Sequence, residues 1–439
     1  MSSFNIDKQT LDELNLLGKF KQGSIYGLFN KVKTSGAERL LNQMFNNPLE
    51  DAAKINKRSD IFRFFQEARL TFPFDVQQIG SMRDYLDTET GTNTLFTLVD
   101  ILIKKGLSAL TRDERYKKNV QGLQATIITL NKCFVFVKTI PWTTGPYTER
   151  ITEIREILSD KRLDRLREVN IYKALSVKDI AFYDYLLKRS FHQEMEQILA
   201  FIYELEVNIT VSHVSDIRGF SYAKALPPGD NVLSATNLRH PGIEGAVGNS
   251  IMLHQDSNVL FLTGANMAGK STLMKSVGIG LYLAHMGFPV AASTMSFSVR
   301  EGLYSSINVA DSISQGYSHF YAEVMRVKQA AEAAASGKRL LLMFDELFKG
   351  TNVKDAYDGT LAVTEAFAEY QNCLFIVSTH IIEVAEALKT SSNVQFVYMP
   401  TVMDGVHPRY TYQLQQGITE DRQGMMIIRN EGILELLED

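Results

Sequence analysis

Near the middle of the chain, Gly264-Ala265-Asn266-Met267-Ala268-Gly269-Lys270-Ser271, followed by Thr272, fits the pattern G-x-x-x-x-G-K-[ST] in full. Residues of these types at this spacing do phosphate chemistry. The glycines let backbone N–H groups close around phosphate oxygens at a helix N-terminus. Lys270 is placed to reach the β- and γ-phosphates, and the Ser271 hydroxyl to hold Mg²⁺. The apolar run Val259–Leu262 predicts a buried strand before the loop, and Ser271–Met286 predicts a helix after it. Strand, glycine loop and helix in that order point to a nucleoside triphosphate as ligand.

Three further stretches can serve such a ligand. Leu340 to Phe344 is apolar and ends in Asp345-Glu346. After a strand and downstream of a phosphate loop, Asp345 supports Mg²⁺, directly or through water, and Glu346 accepts a proton from the attacking water. Leu374–Ser378 is another apolar strand closing on Thr379-His380. His380 at a strand's C-terminal end points where ligands sit in open α/β sheets, within reach of a γ-phosphate. Between them, Ser314-Gln315-Gly316-Tyr317-Ser318 precedes a helical pattern. Such a loop either binds phosphate through N–H groups and a hydroxyl or only caps the helix.

Elements of two kinds must carry these residues. From about Tyr222, strands and helices alternate: Val259–Leu262, Ser271–Met286, Arg339–Phe344, Asp355–Tyr370 and Leu374–Ser378. That alternation predicts a mainly parallel sheet covered by helices. Val394–Met399 and Tyr410–Gln415 read as later strands, and Gly424–Leu437 as a closing helix. Residues 1 to about 80 read as helical. Ile180, Tyr183, Leu187, Phe191, Met195, Ile198, Ile202 and Leu205 step by three or four, the packing stripe of one long helix. His192 and His213 lie near it without metal-ligand spacing. The fold class expected is therefore α plus α/β, with an all-helical domain over 1–221 and a phosphate-loop domain over 222–439.

Length of 439 residues implies two or three domains. No apolar run reaches the roughly 18 residues of a membrane span, mean hydropathy is −0.09, and the first ten residues contain no apolar leader. The expectation is a cytoplasmic protein with no membrane partner, in which Cys133 and Cys373 are buried free thiols. The net charge of −4 is unevenly spread. Residues 1–230 carry 32 Lys+Arg against 29 Asp+Glu, and residues 231–439 carry 14 against 21, so a nucleic-acid partner would meet the first half.

In this order and spacing, GANMAGKST, SQGYSHFYAE, MFDELFKGT and STH resemble the ATPase domain of the MutS family, which is of the ABC type and best known from DNA mismatch repair. Arg239-His240-Pro241 resembles the segment that opens that domain. Residues 23–49 resemble the start of the family's helical core. The resemblance implies an Mg²⁺-dependent ATPase working as a homodimer with composite sites. Gly316 and Ser318 would reach the nucleotide of the opposite subunit, while Asn266, Lys270, Ser271, Asp345, Glu346 and His380 act in cis.

Departures from the family pattern shape the expectation. The sequence starts at the helical core, so a short form without the mismatch-recognition and connector domains is expected. Phe65-Gln66-Glu67 and Phe367-Ala368-Glu369 match the Phe-x-Glu wedge of the mismatch reader by letter, but both fall in core-like helices. The region 100–220 is short for lever helices plus a DNA clamp. The loop Thr139–Pro146, with Trp142, marks where a clamp would have been. Phe348-Lys349-Gly350-Thr351 stands where the family has a Gly-Arg pair before Gly-Thr, and the tail after Gly424 is short. The function expected is ATP hydrolysis coupled to dimer rearrangement on a DNA structure other than a mispair. The alternative is a nucleotide-dependent scaffold that recruits protein partners.

Overall fold

The computed structural model describes residues 4–19, 21–111, 114–139, 144–169, 175–307, 319–404 and 407–419. Gly316, Ser318, Trp142 and the stretch expected as a closing helix lie outside the described residues. The chain forms two compact units. One comprises Met1–Asn30, Met44–Ser59 and Val214–Asp439; the other comprises Lys31–Gln43 and Asp60–His213.

The first unit is built on a seven-stranded sheet. Its strands are β1 (Asn5–Ile6), β2 (Val259–Gly264), β3 (Gly302–Ser306), β4 (Leu340–Asp345), β5 (Leu374–Ser378), β6 (Val394–Met399) and β7 (Gln415–Gln416). Their order is β1-β3-β4-β5-β2-β6-β7, parallel throughout except for β7 against β6. β2 is buried at every position, as are all five residues of β5, which is why these strands read as continuous apolar runs. Helices cover the sheet, and the rings of Phe344, Phe367 and Phe375 stack at 5.4 and 5.0 Å. Replacing one such buried ring by alanine costs about 3–5 kcal/mol. A four-stranded sheet made of Lys224–Leu226, Thr294–Ser298, Leu233–Leu238 and Asn249–Leu253 belongs to the same unit.

Two expectations change here. The N-terminus is not helical throughout. Asn5–Ile6 pairs in parallel with Gly302–Leu303, and the first thirty residues group with the sheet rather than with the helices that follow. The cause is a set of polar ties: Asp7 caps the helix Lys8–Glu13 and binds Arg326, and the Glu13 carboxylate accepts from Ile307 N–H at 3.1 Å. Tyr410–Gln415 is also not one strand. His407–Tyr410 pairs with Thr401–Asp404, residues 411–414 leave the sheet, and Gln415–Gln416 joins β6.

The second unit is helical. Every residue of the expected packing stripe, Ile180 to Leu205, is buried in its core. The stripe does not lie on one helix, however. An α-helix over Val177–Tyr185 passes into a π-helical turn, Leu186–Ser190, before the helix that starts at His192. The steps from Tyr183 through Leu187 and Phe191 to Met195 are all four residues. They outrun a 3.6-residue helix, and the wider turn takes up the excess. Phe65 and Phe367 are core residues, as expected for helices that only match the wedge pattern by letter. His192 and His213 are exposed, and Cys133 and Cys373 are buried and free. Among the described residues one helix, Arg115–Thr139, is long and apolar enough to cross a membrane by length and composition. Gln, Thr and Asn interrupt its apolar residues, so it holds no unbroken apolar run of that length. Over half of the apolar window is buried, with Leu123, Ile127, Leu130 and Cys133 in the core.

The π-turn carries Lys188 inward to a buried partner, Asp184, and a set of polar groups around the pair. Its ammonium donates to Asp184 at 2.8 Å, Thr88 at 2.6 Å and Asn119 at 2.9 Å, and lies 3.9 Å from the centre of the Tyr85 ring. Asp184 also accepts from Thr90 at 2.8 Å and Asn119 at 3.2 Å. Burial pushes the Lys188 pKa down, while Asp184 holds it up. Removing one partner leaves the other charge uncompensated. Asp184→Ala should therefore destabilise the helical unit by about 3–5 kcal/mol, seen as faster hydrogen exchange across its core, whereas Asp184→Leu with Lys188→Met should restore most of the protection.

Candidate functional site

Parallel pairing puts the C-terminal ends of the central strands on one edge. Asp345 of β4 stands opposite Ser378 of β5, and Ser378 opposite Leu262 of β2. The loops leaving these strands therefore converge where open α/β sheets bind ligands. The loop after β2 needs its glycines. Gly264 has φ +143° and Gly269 φ +103°, and a Cβ would lie 3.1 Å from the Met399 carbonyl oxygen in the first case and 3.0 Å from the Tyr412 ring in the second. Met267 also has positive φ and is mostly exposed. The following helix, Lys270–His285, begins with no side-chain cap, so its first N–H groups face the loop's concavity.

Lys270 is buried, and its ammonium donates to the carbonyls of Gly264 at 2.9 Å and Ala265 at 3.2 Å. Burial lowers its pKa against the opposing pull of Asp345 and Glu346. The Ser271 hydroxyl donates to Asp345 Oδ2. Asp345 Oδ1 is buried with no hydrogen-bond partner among the described residues, and burial raises the pKa of this carboxyl against the opposing pull of the Ser271 and Ser378 hydroxyls. A hydroxyl beside a carboxylate whose second oxygen is unpartnered is a hard-oxygen donor set. It suits Mg²⁺, which takes one or two carboxylates and fills its shell from phosphates and water.

Glu346 directly follows the strand at φ +53° and anchors its N–H on the Ser378 carbonyl at 2.8 Å. Its carboxylate lies 3.6 Å from His380 Nδ1. Contact with His380 holds the Glu346 carboxyl below its usual value, and contact with Glu346 raises the His380 imidazole above its own. His380 is half-exposed and Glu346 more sheltered.

These groups surround one cavity of about 810 Å³, a size that suits a nucleotide-sized ligand. Asn266, Met267, Gly269, Lys270, Ser271, Thr272, Asp345 and Glu346 line it. Gly264 and Ala265 join through their carbonyls, Ala268 is buried behind the loop, and His380 reaches the cavity through Glu346. Of the candidates named from sequence, Gly316 and Ser318 are not among the described residues. The helix His319–Ala335 that follows them is tied to the carboxylate segment: Gly350 N–H approaches Glu323 at 3.4 Å, and a Cβ on Gly350 would lie 2.9 Å from Phe320 N. Lys349 of that segment also lines the cavity.

Sequence reasoning missed the apolar end of the cavity. Ile243, Val247, Met399 and Tyr412 form it, with His240 beside them. Tyr412 has φ +56° and is held there by Asn249, whose Nδ2 donates to the Tyr412 carbonyl at 2.9 Å and whose Oδ1 accepts from Leu414 N–H at 2.7 Å. No local pattern announces an asparagine that grips a backbone 163 residues away. The only signal was the aromatic pair Tyr410 and Tyr412, which the reading absorbed into a strand.

Two family models match the chain: one described as MutS domain III over residues 9–336 and one described as MutS domain V over residues 260–436. Among similar proteins, DNA mismatch repair protein MutS of Leuconostoc mesenteroides is 22% identical over 98% of this chain and 61% of its own length. DNA mismatch repair protein MutS of Lactococcus lactis subsp. cremoris (strain SK11) is 23% identical over 95% of this chain and 60% of its own. DNA mismatch repair protein spellchecker 1 of Drosophila melanogaster is 28% identical over 47% of this chain and 23% of its own. The chain thus spans less than two thirds of each of these relatives. With the domain III match alone covering most of its residues, the chain belongs to the MutS family.

Proposed function

We propose that the chain is an Mg²⁺-dependent ATPase of the ABC type, in which the unit of residues 1–30, 44–59 and 214–439 carries the nucleotide chemistry and the unit of residues 31–43 and 60–213 is a helical core and lever. The observation that carries this reading is the meeting of Lys270, the Ser271–Asp345 pair with its unpartnered oxygen, and Glu346 around one cavity. Asn266 and the loop N–H groups bind phosphate oxygens, Lys270 neutralises the β- and γ-phosphates, and Ser271 and Asp345 hold Mg²⁺. Held there by Ser271 and Asp345, the ion would supply neutralisation of the charge on the phosphate oxygens. Glu346 orients the attacking water and takes its proton. Its low pKa makes it a weak base, which suits a transfer that depends on positioning more than on proton abstraction. His380 sits against Glu346 where it can sense the γ-phosphate. The Tyr412 ring, at the apolar end, stacks on the base.

Two chains make each complete site, Gly316 and Ser318 completing the partner's, and the ATP-driven rearrangement is transmitted to DNA. The relatives bear the name of mismatch repair. Here a branched or ended DNA structure is the proposed substrate rather than a mispair.

Steady-state ATPase of the full chain, with homoduplex, mismatched and branched DNA, tests the whole reading. Glu346→Gln should bind ATP normally and hydrolyse it at least about a hundredfold more slowly. A normal rate would place the base elsewhere. DNA stimulation should favour branched DNA and fade with added salt.

Tyr412→Ala should weaken ATP about tenfold, as expected for one base–aromatic stack, while leaving tripolyphosphate binding unchanged. Equal losses for both ligands would remove the stacking role.

The Glu346–His380 contact gives a pH signature. Because His380 is raised, its stabilising charge is present at low pH and is lost as pH climbs through its folded pKa above 6.5. Because Glu346 is lowered, its charge is present above its unfolded value near 4.5 and is lost only below the folded one. His380→Ala should move the acid limb of the ATPase profile to higher pH and erase the inflection on the alkaline side. A profile unchanged on both limbs would show that the contact does not govern catalysis.

A further inference from the structure

The segment Arg239-His240-Pro241 is bonded on one side to the end of a long helix and opens on the other into a wall of the cavity. The helix His192–Arg218 stops on Gly219, at φ +59°, with Phe220 N–H returned to the Ser215 carbonyl at 3.0 Å and Gly219 N–H to the Asp216 carbonyl at 3.3 Å. Beyond that turn the Arg239 guanidinium takes the carbonyls of Arg218 and Gly219, its Nη2 donating at 3.1 and 3.0 Å. A cation there also suits the negative end of the helix dipole. Arg218 answers in the other direction, its Nη1 donating to the Pro241 carbonyl at 3.2 Å. Each arginine thus closes on a carbonyl of the other's segment. The Arg239 main chain is fixed as well, since its N–H donates to the Ala291 carbonyl at 2.9 Å.

From Pro241 the chain turns into the cavity. Ile243 N–H donates to the His240 carbonyl at 3.3 Å, and Gly242 N–H donates to His240 Nδ1 at 3.2 Å. Burial, with Lys275 nearby, holds the His240 imidazole below its ordinary value, so at neutral pH it is uncharged and Nδ1 can accept. His240, Ile243 and Val247 then line the cavity. Ile243 and Val247 are 48 and 38% exposed, so packing alone does not fix this wall. It is anchored after Gly248 by the strand Asn249–Leu253 and before Gly242 by the two arginines. Tyr412, at the same apolar end, is fixed separately through Asn249.

We propose that Arg218 and Arg239 are positioning residues for nucleotide binding, setting the Ile243–Val247 wall from the end of the helix His192–Arg218, so that filling the base-bearing end of the cavity and placing that helix end are coupled. The inference rests on the nucleotide reading of the cavity, and coupling of this kind is reciprocal. The test is steady-state ATPase of the full chain with tripolyphosphate as a competing ligand that has the phosphates but no base. Arg218→Ala should raise KM for ATP about three- to tenfold, the effect of one lost charge-assisted hydrogen bond, with kcat and the inhibition constant of tripolyphosphate unchanged. A variant that was merely less folded would lower kcat and leave KM alone. Arg218 is exposed, so its truncation opens no cavity in the core. Arg218→Lys, which keeps a charged donor, should recover most of the affinity. In hydrogen exchange, ATP should slow the amides of residues 216–220 in the wild-type chain and not in Arg218→Ala. An unchanged KM overturns the proposal, as does slowing that survives in Arg218→Ala. An equal rise for ATP and tripolyphosphate also overturns it, because the loss would then lie at the phosphate loop. Absence of turnover in the wild-type chain removes the nucleotide reading itself, and this inference with it.

Discussion

The alignment of three parallel strand ends is the constraint on which the site depends. β4, β5 and β2 are paired so that Asp345, Ser378 and Leu262 stand level. A slip of one residue would move Asp345 by about 3.3 Å and turn its side chain to the other face of the sheet. Neither Ser271 nor the cavity could then reach it. The register is held by burial on both faces, with Phe344 and Phe375 locked through Phe367 and the whole of β2 enclosed. β6, on the other side of β2, adds Met399 at the loop, and the chain that leaves it is caught by Asn249 so that Tyr412 stands against Gly269. Phosphate-facing and apolar ends of the cavity thus hang from neighbouring strands of one ladder.

Within that frame the charges are arranged to be exchanged rather than neutralised once. A buried ammonium needs acceptors, and Lys270 takes the carbonyls of Gly264 and Ala265. An incoming phosphate offers the same ammonium stronger, charged acceptors in the same place, so binding replaces neutral hydrogen bonds by charge-assisted ones. Asp345 is similar. One oxygen is engaged by Ser271 and the other is buried without a partner, a cost that a cation would relieve. Among the described residues, the folded chain thus leaves one carboxylate oxygen of this cavity unsatisfied where a cation could compensate it.

Much of this was legible because the signals are local. An apolar run followed by a glycine loop and a small-residue helix specifies strand, turn and helix within itself, and the bounds of β2, β4 and β5 differ from the reading by no more than two residues. The contributions that were not legible are non-local or depend on the helix's fine pitch. Asp7 and Glu13 show their purpose only when Arg326 and Ile307 are folded beside them. The π-turn at Leu186–Ser190 hides in a stripe whose steps of four are each compatible with an α-helix and only together exceed it. Asn249 and Tyr412 are far apart in sequence and unremarkable in composition.

The N-terminal segment carries the argument one step further. Asp7 and Thr10 bind the Arg326 guanidinium, which also takes the Ser305 carbonyl at 3.1 Å, while Glu13 holds Ser305 and the N–H of Ile307. Ser305 and Ile307 precede the segment 308–318 and Arg326 follows it, so the first thirteen residues brace both flanks of the stretch that contains Gly316 and Ser318. Burial alone would raise the Asp7 carboxyl, yet the Arg326 guanidinium and Thr10 keep it lowered, so this anchor is an ion pair at neutral pH. Contacts that span about three hundred residues carry a heavy loop-closure cost, and the growth of that cost with length is only logarithmic. A handful of charge-assisted hydrogen bonds is therefore enough to make the start of the chain a structural part of the nucleotide unit, and a linear cut near residue 221 would separate the sheet from one of its own strands.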